Sequence, residues 1–412
     1  MKKIIIFTFF MSFVLGCTSE DSGSESSTTC EWHYDNIALE DELFDSDLNS
    51  LTILSDGTLL AASNMVSSSY GPYDGYLARS IDQGKTWSVV NKVDSYSEAK
   101  MNKVITTTSG DAIAVGHGRD GSGWDWFVKR SQDSGVSWTF LESEYSYQSG
   151  YYAEPHDAAV SPVAGDLYVV GGAADLAGLR WIVRYAPSTN DSFTGLPDNY
   201  QLVLGRDAQA RSIAIDADGN IYVGGKAEDS SSKYHWIIRK SEDRGFSWTT
   251  IDDFQLSSSG HAEVYDLHIA KDGSVYAAGY GKDSSGFSHW IVRRSINGIS
   301  FETVDNFLNP NPTVAHNNIA YSIAEDSQGV IYITGQEHDD NESSNYGYMV
   351  LKRSTDSGET WEKFDNYLNG SSSGQTGRSV VIDTNDNIFY GGSVGYSRHS
   401  VKRRVCITEG LR

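Results

Sequence analysis

A turn marker recurs along the chain at a spacing near 54 residues: Gly57, Gly110, Gly165, Gly219, Gly273 and Gly329, with Asp386 in the seventh place, so that successive steps are 53, 55, 54, 54, 56 and 57. The same text surrounds each marker, as in Ser212-Ile213-Ala214-Ile215 before Asp218-Gly219 and Ile221-Tyr222-Val223-Gly224-Gly225 after it. A unit repeated at this period cannot bury its own apolar face and must stack on its neighbours. The unit reads as four short strands. Strand A precedes the marker and strand B follows it. Strand C has the form Trp236-Ile237-Ile238-Arg239-Lys240 or Trp290-Ile291-Val292-Arg293-Arg294, and strand D follows a second turn, as in Trp248-Thr249-Thr250-Ile251. β-Branched and aromatic residues fill these runs while Gly, Asp and Ser punctuate them, as half-buried antiparallel strands require.

The expected fold is therefore all-β, a seven-bladed β-propeller of four-stranded antiparallel blades. The last repeat stops after strand C, at Ser400-Val401-Lys402-Arg403-Arg404, with no strand D behind it. Trp32-His33-Tyr34-Asp35-Asn36 matches Trp361-Glu362-Lys363-Phe364-Asp365-Asn366, so the N-terminal strand is expected to pair into the last blade and close the ring. Closure removes exposed sheet edges.

The turn between strands C and D carries the pattern Ser-x-Asp-x-Gly-x-x-Trp at Ser80–Trp87, Ser131–Trp138, Ser241–Trp248 and Ser354–Trp361. Ser and Asp side chains satisfy backbone groups of a tight turn, and Gly adopts a conformation that a β-carbon opposes. On this motif the chain resembles the sialidase-like family of Asp-box propellers over nearly its whole mature length. The resemblance implies that Asp82, Asp133, Asp243 and Asp356 are structural, on the face away from any ligand. The third and fifth copies have Phe193 and Phe301 in place of Trp. Sialidases of this family have six blades and an Arg-Ile-Pro motif, which is missing here; sialidase activity is accordingly disfavoured.

Aligning the repeats puts Cys406 at the second position of the missing Asp box and Cys30 at its sixth, across a tight turn. A Cys30–Cys406 disulfide is expected there, replacing the absent covalent turn. The third cysteine belongs to the N-terminus: Lys2-Lys3 and the apolar run Ile4 to Leu15 suit a secretory signal, and Val14-Leu15-Gly16-Cys17 resembles a bacterial lipobox. This divides the chain into a signal peptide (1–16), a polar tether (17–29) and the propeller (30–412), with lipid on Cys17 and an outer-membrane location; plain secretion or a periplasmic location is the alternative.

The formal charge of −23 becomes −25 when residues 1–16, with Lys2 and Lys3, are removed. A surface this acidic excludes nucleic acid as a partner and leaves the lipid as the membrane contact. No cofactor or metal is expected: His156, His261 and His316 stand at different offsets from the marker. The chain is read as a monomer.

Counting eight residues back from each marker gives Asn49, Asn102, Asp157, Arg211, Tyr265, Tyr321 and Arg378. Seven polar or amphipathic residues at one register, of four chemical types, are expected to ring the channel mouth and bind the ligand. Nearby loops add Glu98 and Lys100, Tyr151-Tyr152-Ala153-Glu154-Pro155-His156, His261-Ala262-Glu263, Tyr70 and Tyr73, Arg119, Trp124 and Trp126, Phe287, and Tyr346. Aromatic faces beside polar groups suit sugar rings. Two readings stand open. The first is an envelope-anchored binding or scaffold lipoprotein that recognises a glycan, peptide or protein. The second is a carbohydrate-active enzyme, a polysaccharide lyase before a glycosidase, with Arg211, Tyr265, Tyr321, Arg378 and His261 as the catalytic candidates.

Overall fold

The computed structural model describes residues 28–36, 45–66, 71–121, 123–189, 192–195, 198–308, 317–338, 347–367, 374–394 and 398–408. Among these, the strands form four-stranded antiparallel sheets, none closed on itself. Six blades are built from consecutive strands: I (45–92), II (98–145), III (153–200), IV (208–254), V (262–307) and VI (319–367). The expectation of seven blades is corrected here to six that are contiguous in the chain. The remaining sheet is a composite of the two chain ends, because the last repeat has no fourth strand of its own. Gln375–Ile382, Ile388–Val394 and Arg398–Thr408 supply three of its strands and Thr28–Asn36 the outermost. The register of that outermost pair places Cys30 opposite Cys406. Only the backbone of these two cysteines is described, and Cys17 lies outside the described residues.

The inner strands are tied to one another in a circuit of hydrogen bonds. The Asn49 side chain donates to the Met101 carbonyl (2.8 Å) and Asn102 to the Pro155 carbonyl (2.6 Å). The Ser212 hydroxyl bonds Asp157 (2.9 Å) and Asp266 (3.1 Å), and Asp266 accepts from the amide of Ile323 (2.8 Å). The Val380 amide donates to the Ser322 hydroxyl (3.3 Å), and the Leu51 amide to that of Ser379 (2.9 Å), which joins the composite sheet to blade I. Short polar side chains do this work because the innermost strands are too close for bulky ones, and each bond removes a buried backbone group from the unsatisfied set.

Between blades the packing is apolar and directional. Trp126, Trp181, Trp236 and Trp290, all on third strands, are fully buried. Each lies over a glycine in the second strand of the next blade: a β-carbon on Gly171, Gly225, Gly279 or Gly335 would stand 2.8, 2.8, 2.6 or 2.4 Å from the indole. The Gly-Gly text of strand B is thus a notch for a neighbour's ring. Truncating such a Trp to Ala removes about 3–5 kcal/mol.

The far face is made of turns whose side chains replace backbone partners. Asp82 accepts from the Ser80 hydroxyl (2.8 Å), the Thr86 amide (2.8 Å) and the Thr86 hydroxyl (2.6 Å), while the Trp87 indole donates to the Gly84 carbonyl (3.0 Å). Asp133, Asp243 and Asp356 repeat the arrangement. These bonds hold the carboxyls of Asp133 and Asp356 at about 2, the hydrogen bonds from Ser137 and Thr360 contributing most. Asp386 has φ 61°, the left-handed conformation that the six marker glycines also take.

Asp157 carries the most of this inner circuit: it accepts from Ser212 and from the Ile213 amide (3.1 Å) and pairs with Lys103 (3.3 Å). Asp157→Ala is expected to lower stability by about 2–4 kcal/mol in chemical denaturation. A loss under about 0.5 kcal/mol, typical of an uninvolved surface site, would contradict that role.

Candidate functional site

Each inner strand breaks register once, at one height. The ladders skip Asn49, Asn102, His156, Arg211, Tyr265, Tyr321 and Arg378 in turn, each lying between two residues that remain paired. A bulged residue has no partner across the ladder and bends its strand, which re-aims its side chain. All seven line one cavity of about 300 Å³ at the channel mouth. Six are the residues expected from the sequence; Asp157 is not among them.

The correction at Asp157 has a simple cause. The amides of Gly57, Gly110, Gly219, Gly273 and Gly329 donate to a carbonyl three residues back, but that of Gly165 reaches Ser161, four back. The turn of blade III is one residue longer, so a fixed count back from its glycine stops one residue short of His156. Asp157 instead faces the channel below the cavity.

One side of the cavity is internally neutralised. The Arg211 Nε donates to Glu263 (2.6 Å), whose second oxygen meets Lys226 (3.1 Å), and Arg211 also contacts the imidazole of His156 (2.9 Å). Glu263 is 2% exposed. Burial works against its charge, yet Arg211 and Lys226 hold its carboxyl below the usual range. Next to them Asn102 approaches Glu154 (3.3 Å) and His117 (3.2 Å), and the Tyr152 hydroxyl donates to Glu154 (2.5 Å). Burial also opposes the charge on Glu154; the neighbouring imidazoles, the Tyr152 hydroxyl and Arg211 outweigh it and bring the carboxyl to about 2. Burial pushes His117 down to about 4 and, with Arg211, drives His156 well below its ordinary value. Both imidazoles are neutral proton acceptors at pH 7.

The other side is different in kind. The rings of Tyr265 and Tyr321 lie 4.7 Å apart at 59°, and the guanidinium of Arg378 sits 4.4 Å from the Tyr321 ring. Burial raises both tyrosines, Tyr265 strongly, so their hydroxyls stay protonated. Among the described residues Arg378 has no carboxylate within ion-pair distance, and its Nε is buried without a hydrogen-bond partner. Lys100 also lines the cavity and rests over the Tyr73 ring at 4.1 Å. Among the described residues neither of these two cations of the lining has a carboxylate within ion-pair distance, and Arg378 lies beside the two tyrosines. This arrangement can neutralise an anion and donate or accept protons beside it.

Several other candidates fall elsewhere. His261 lies outside the cavity lining, packed against Tyr234 (5.5 Å) and accepting its amide (3.2 Å). Trp126 is a wedge between blades. His316, Tyr70 and Tyr346 lie outside the described residues. Among the described residues no three His, Cys, Asp or Glu side chains group as metal ligands. Sequence reasoning missed His117 and Lys226, which follow Gly116 and Gly225 in the second strands of blades II and IV. Their signal was a large polar side chain where blade III has Gly172.

No protein-family model matches the chain, and no curated protein matches it by sequence. Solved structures do. A protein of unknown function from Dyadobacter fermentans DSM 18053 is 13% identical, over 92% of this chain and 99% of that one, with a TM-score of 0.55. A polysaccharide lyase, an ulvan lyase bound to -[GlcA(1-4)Rha3S]-, is 11% identical over 88% and 94%, with a TM-score of 0.55. An α-L-arabinanase of Penicillium chrysogenum complexed with arabinobiose is 12% identical over 92% and 99%, at 0.53. At such identities the likeness is one of fold.

The two depressed groups make the site end of the molecule acid-sensitive. His117 titrates near 4 when folded against 6.5 ordinarily, so its contribution is complete above pH 6.5 and is lost as the pH falls towards 4. Linkage sets its size on the order of 3 kcal/mol. Glu154, at about 2 against 4.5, adds a further loss below pH 4.5. Thermal melts across this range are expected to show a falling midpoint, with a flatter profile for His117→Gln; parallel profiles would contradict the assignment.

Proposed function

We propose that the cavity binds a carbohydrate chain through a carboxylate-bearing sugar unit, with Arg378 as its anion contact. The observation that carries this reading is the Arg378 guanidinium, buried at its Nε, resting on Tyr321 and unopposed by any described carboxylate. Arg211, of the same type and at the same register, is already neutralised by Glu263. Asn49 and Asn102 spend their NH₂ groups on neighbouring blades, which leaves amide oxygens for sugar hydroxyls. Tyrosine faces supply the apolar contact that sugar rings need. The net charge of −23 does not oppose this, since distant charges are screened beyond about 8 Å at physiological salt. The polysaccharide lyase and the arabinanase of the same fold support a carbohydrate ligand by analogy.

The second reading, β-elimination, is favoured by neutral His156 and protonated Tyr265 in the lining of the same cavity. With the carboxylate neutralised by Arg378, a base removes the adjacent carbon-bound proton, the 4-oxygen substituent leaves with a proton from a hydroxyl donor, and a C4–C5 double bond remains.

The termini give the setting. We infer an envelope-anchored protein lipidated at Cys17, with a Cys30–Cys406 disulfide across the composite sheet, whose backbone register supports that pairing. Non-reducing peptide mapping is expected to recover the linked pair; free thiols at both positions would sink it.

Glycan arrays followed by calorimetry on uronate oligosaccharides test the main reading. Arg378→Ala is expected to weaken binding by about 10- to 100-fold, as loss of a charge-assisted bond does, with an unchanged melting temperature. Equal binding by wild type and variant would overturn the assignment of Arg378. Absorbance from unsaturated uronate products decides between the readings: its appearance makes the protein a lyase, and its absence across the bound ligands leaves a binding protein.

A further inference from the structure

The cavity, at about 300 Å³, lies at the small end of ligand pockets, so most of a polysaccharide must run outside it. One part of the rim has the chemistry to receive it. Tyr152 is 39% exposed, and its hydroxyl is bonded to Glu154, which lines the cavity. Trp124, half-buried, stands 6.4 Å from it at 66° between ring planes. Buried His117 packs edge-on against both, at 5.0 Å from Trp124 and 6.1 Å from Tyr152. Trp124 belongs to blade II and Tyr152 to the segment that leads into blade III; they are joined through a parallel bridge, with the Trp124 amide donating to the Tyr151 carbonyl (3.4 Å).

Packing between blades does not require this cluster. Trp126, two residues further along the strand, already fills the notch at Gly171. At the position of Trp124 blades I, III, IV, V and VI carry Tyr73, Leu179, Tyr234, Ser288 and Gly347, so no other blade places a Trp there. A pair of aromatic rings held at fixed angles from below, open above and continuous with the cavity wall, is suited to the C–H face of a sugar ring.

We propose that Trp124 and Tyr152 form a second sugar subsite, which stacks a ring of the chain whose acidic unit occupies the cavity. The chain then leaves the cavity across blades II and III. Glu154 links the two subsites, since it lines the first and fixes the hydroxyl of the second. This assignment rests on the acidic-carbohydrate reading of the cavity.

The test uses the full chain and uronate-containing disaccharides and hexasaccharides in calorimetry. Trp124→Ala is expected to weaken hexasaccharide binding about tenfold and to leave disaccharide binding unchanged, while Arg378→Ala weakens both. Trp124→Leu, which keeps the apolar side chain that blade III carries at this position but has no flat face, is expected to act as Trp124→Ala does and decides the matter if the Ala variant fails to fold. Equal losses for both lengths, or no loss for either, overturn the subsite and leave the cavity reading standing. Wild-type protein that binds neither oligosaccharide overturns the cavity reading, and the subsite falls with it.

Discussion

The indole-in-notch contact between blades is the constraint on which the rest depends. Trp126, Trp181, Trp236 and Trp290 each occupy space that a single methyl group on the facing glycine would take away. Steric exclusion of this kind is steep, so it sets the distance and the height at which one blade meets the next. Once heights are fixed, a bulge at one place in each inner strand delivers its residue to one level. The cavity exists because the wedges agree.

Much of this was legible because it rests on backbone geometry that few residues tolerate. The markers Gly57 to Gly329 take positive φ, and Asp386, an amino acid that tolerates that region, stands where the pattern lacks glycine. The Ser-x-Asp-x-Gly turns were legible for the same reason. What escaped notice is what geometry does not dictate. A longer turn at Gly165 costs nothing locally, yet it displaces the count from His156 to Asp157. Trp124 and Trp126 look alike in the sequence; one is a wedge and the other lies on the rim, and only the neighbouring blade decides which.

Electrostatics divides the mouth more sharply than composition suggests. Arg211 and Arg378 share a register, but Glu263, itself 2% exposed, exists to be met by Arg211 and Lys226. Removing either cation would leave a buried carboxylate short of a partner, which is the expensive half of any buried pair. Arg378 has no such obligation among the described residues. The first side therefore has its charges compensated from within, whereas the second presents a cation that no described carboxylate compensates.

The bulge has a further consequence, for the history of such a molecule. A residue outside the ladder contributes nothing to strand pairing, so the ladder itself is indifferent to its identity. Asn49, His156, Tyr265 and Arg378 occupy equivalent places with unrelated chemistries. Where no neighbour depends on the side chain, as at Arg378, the mouth can therefore be rewritten while wedge and turn stay fixed by packing, and recognition can change without unfolding the ring.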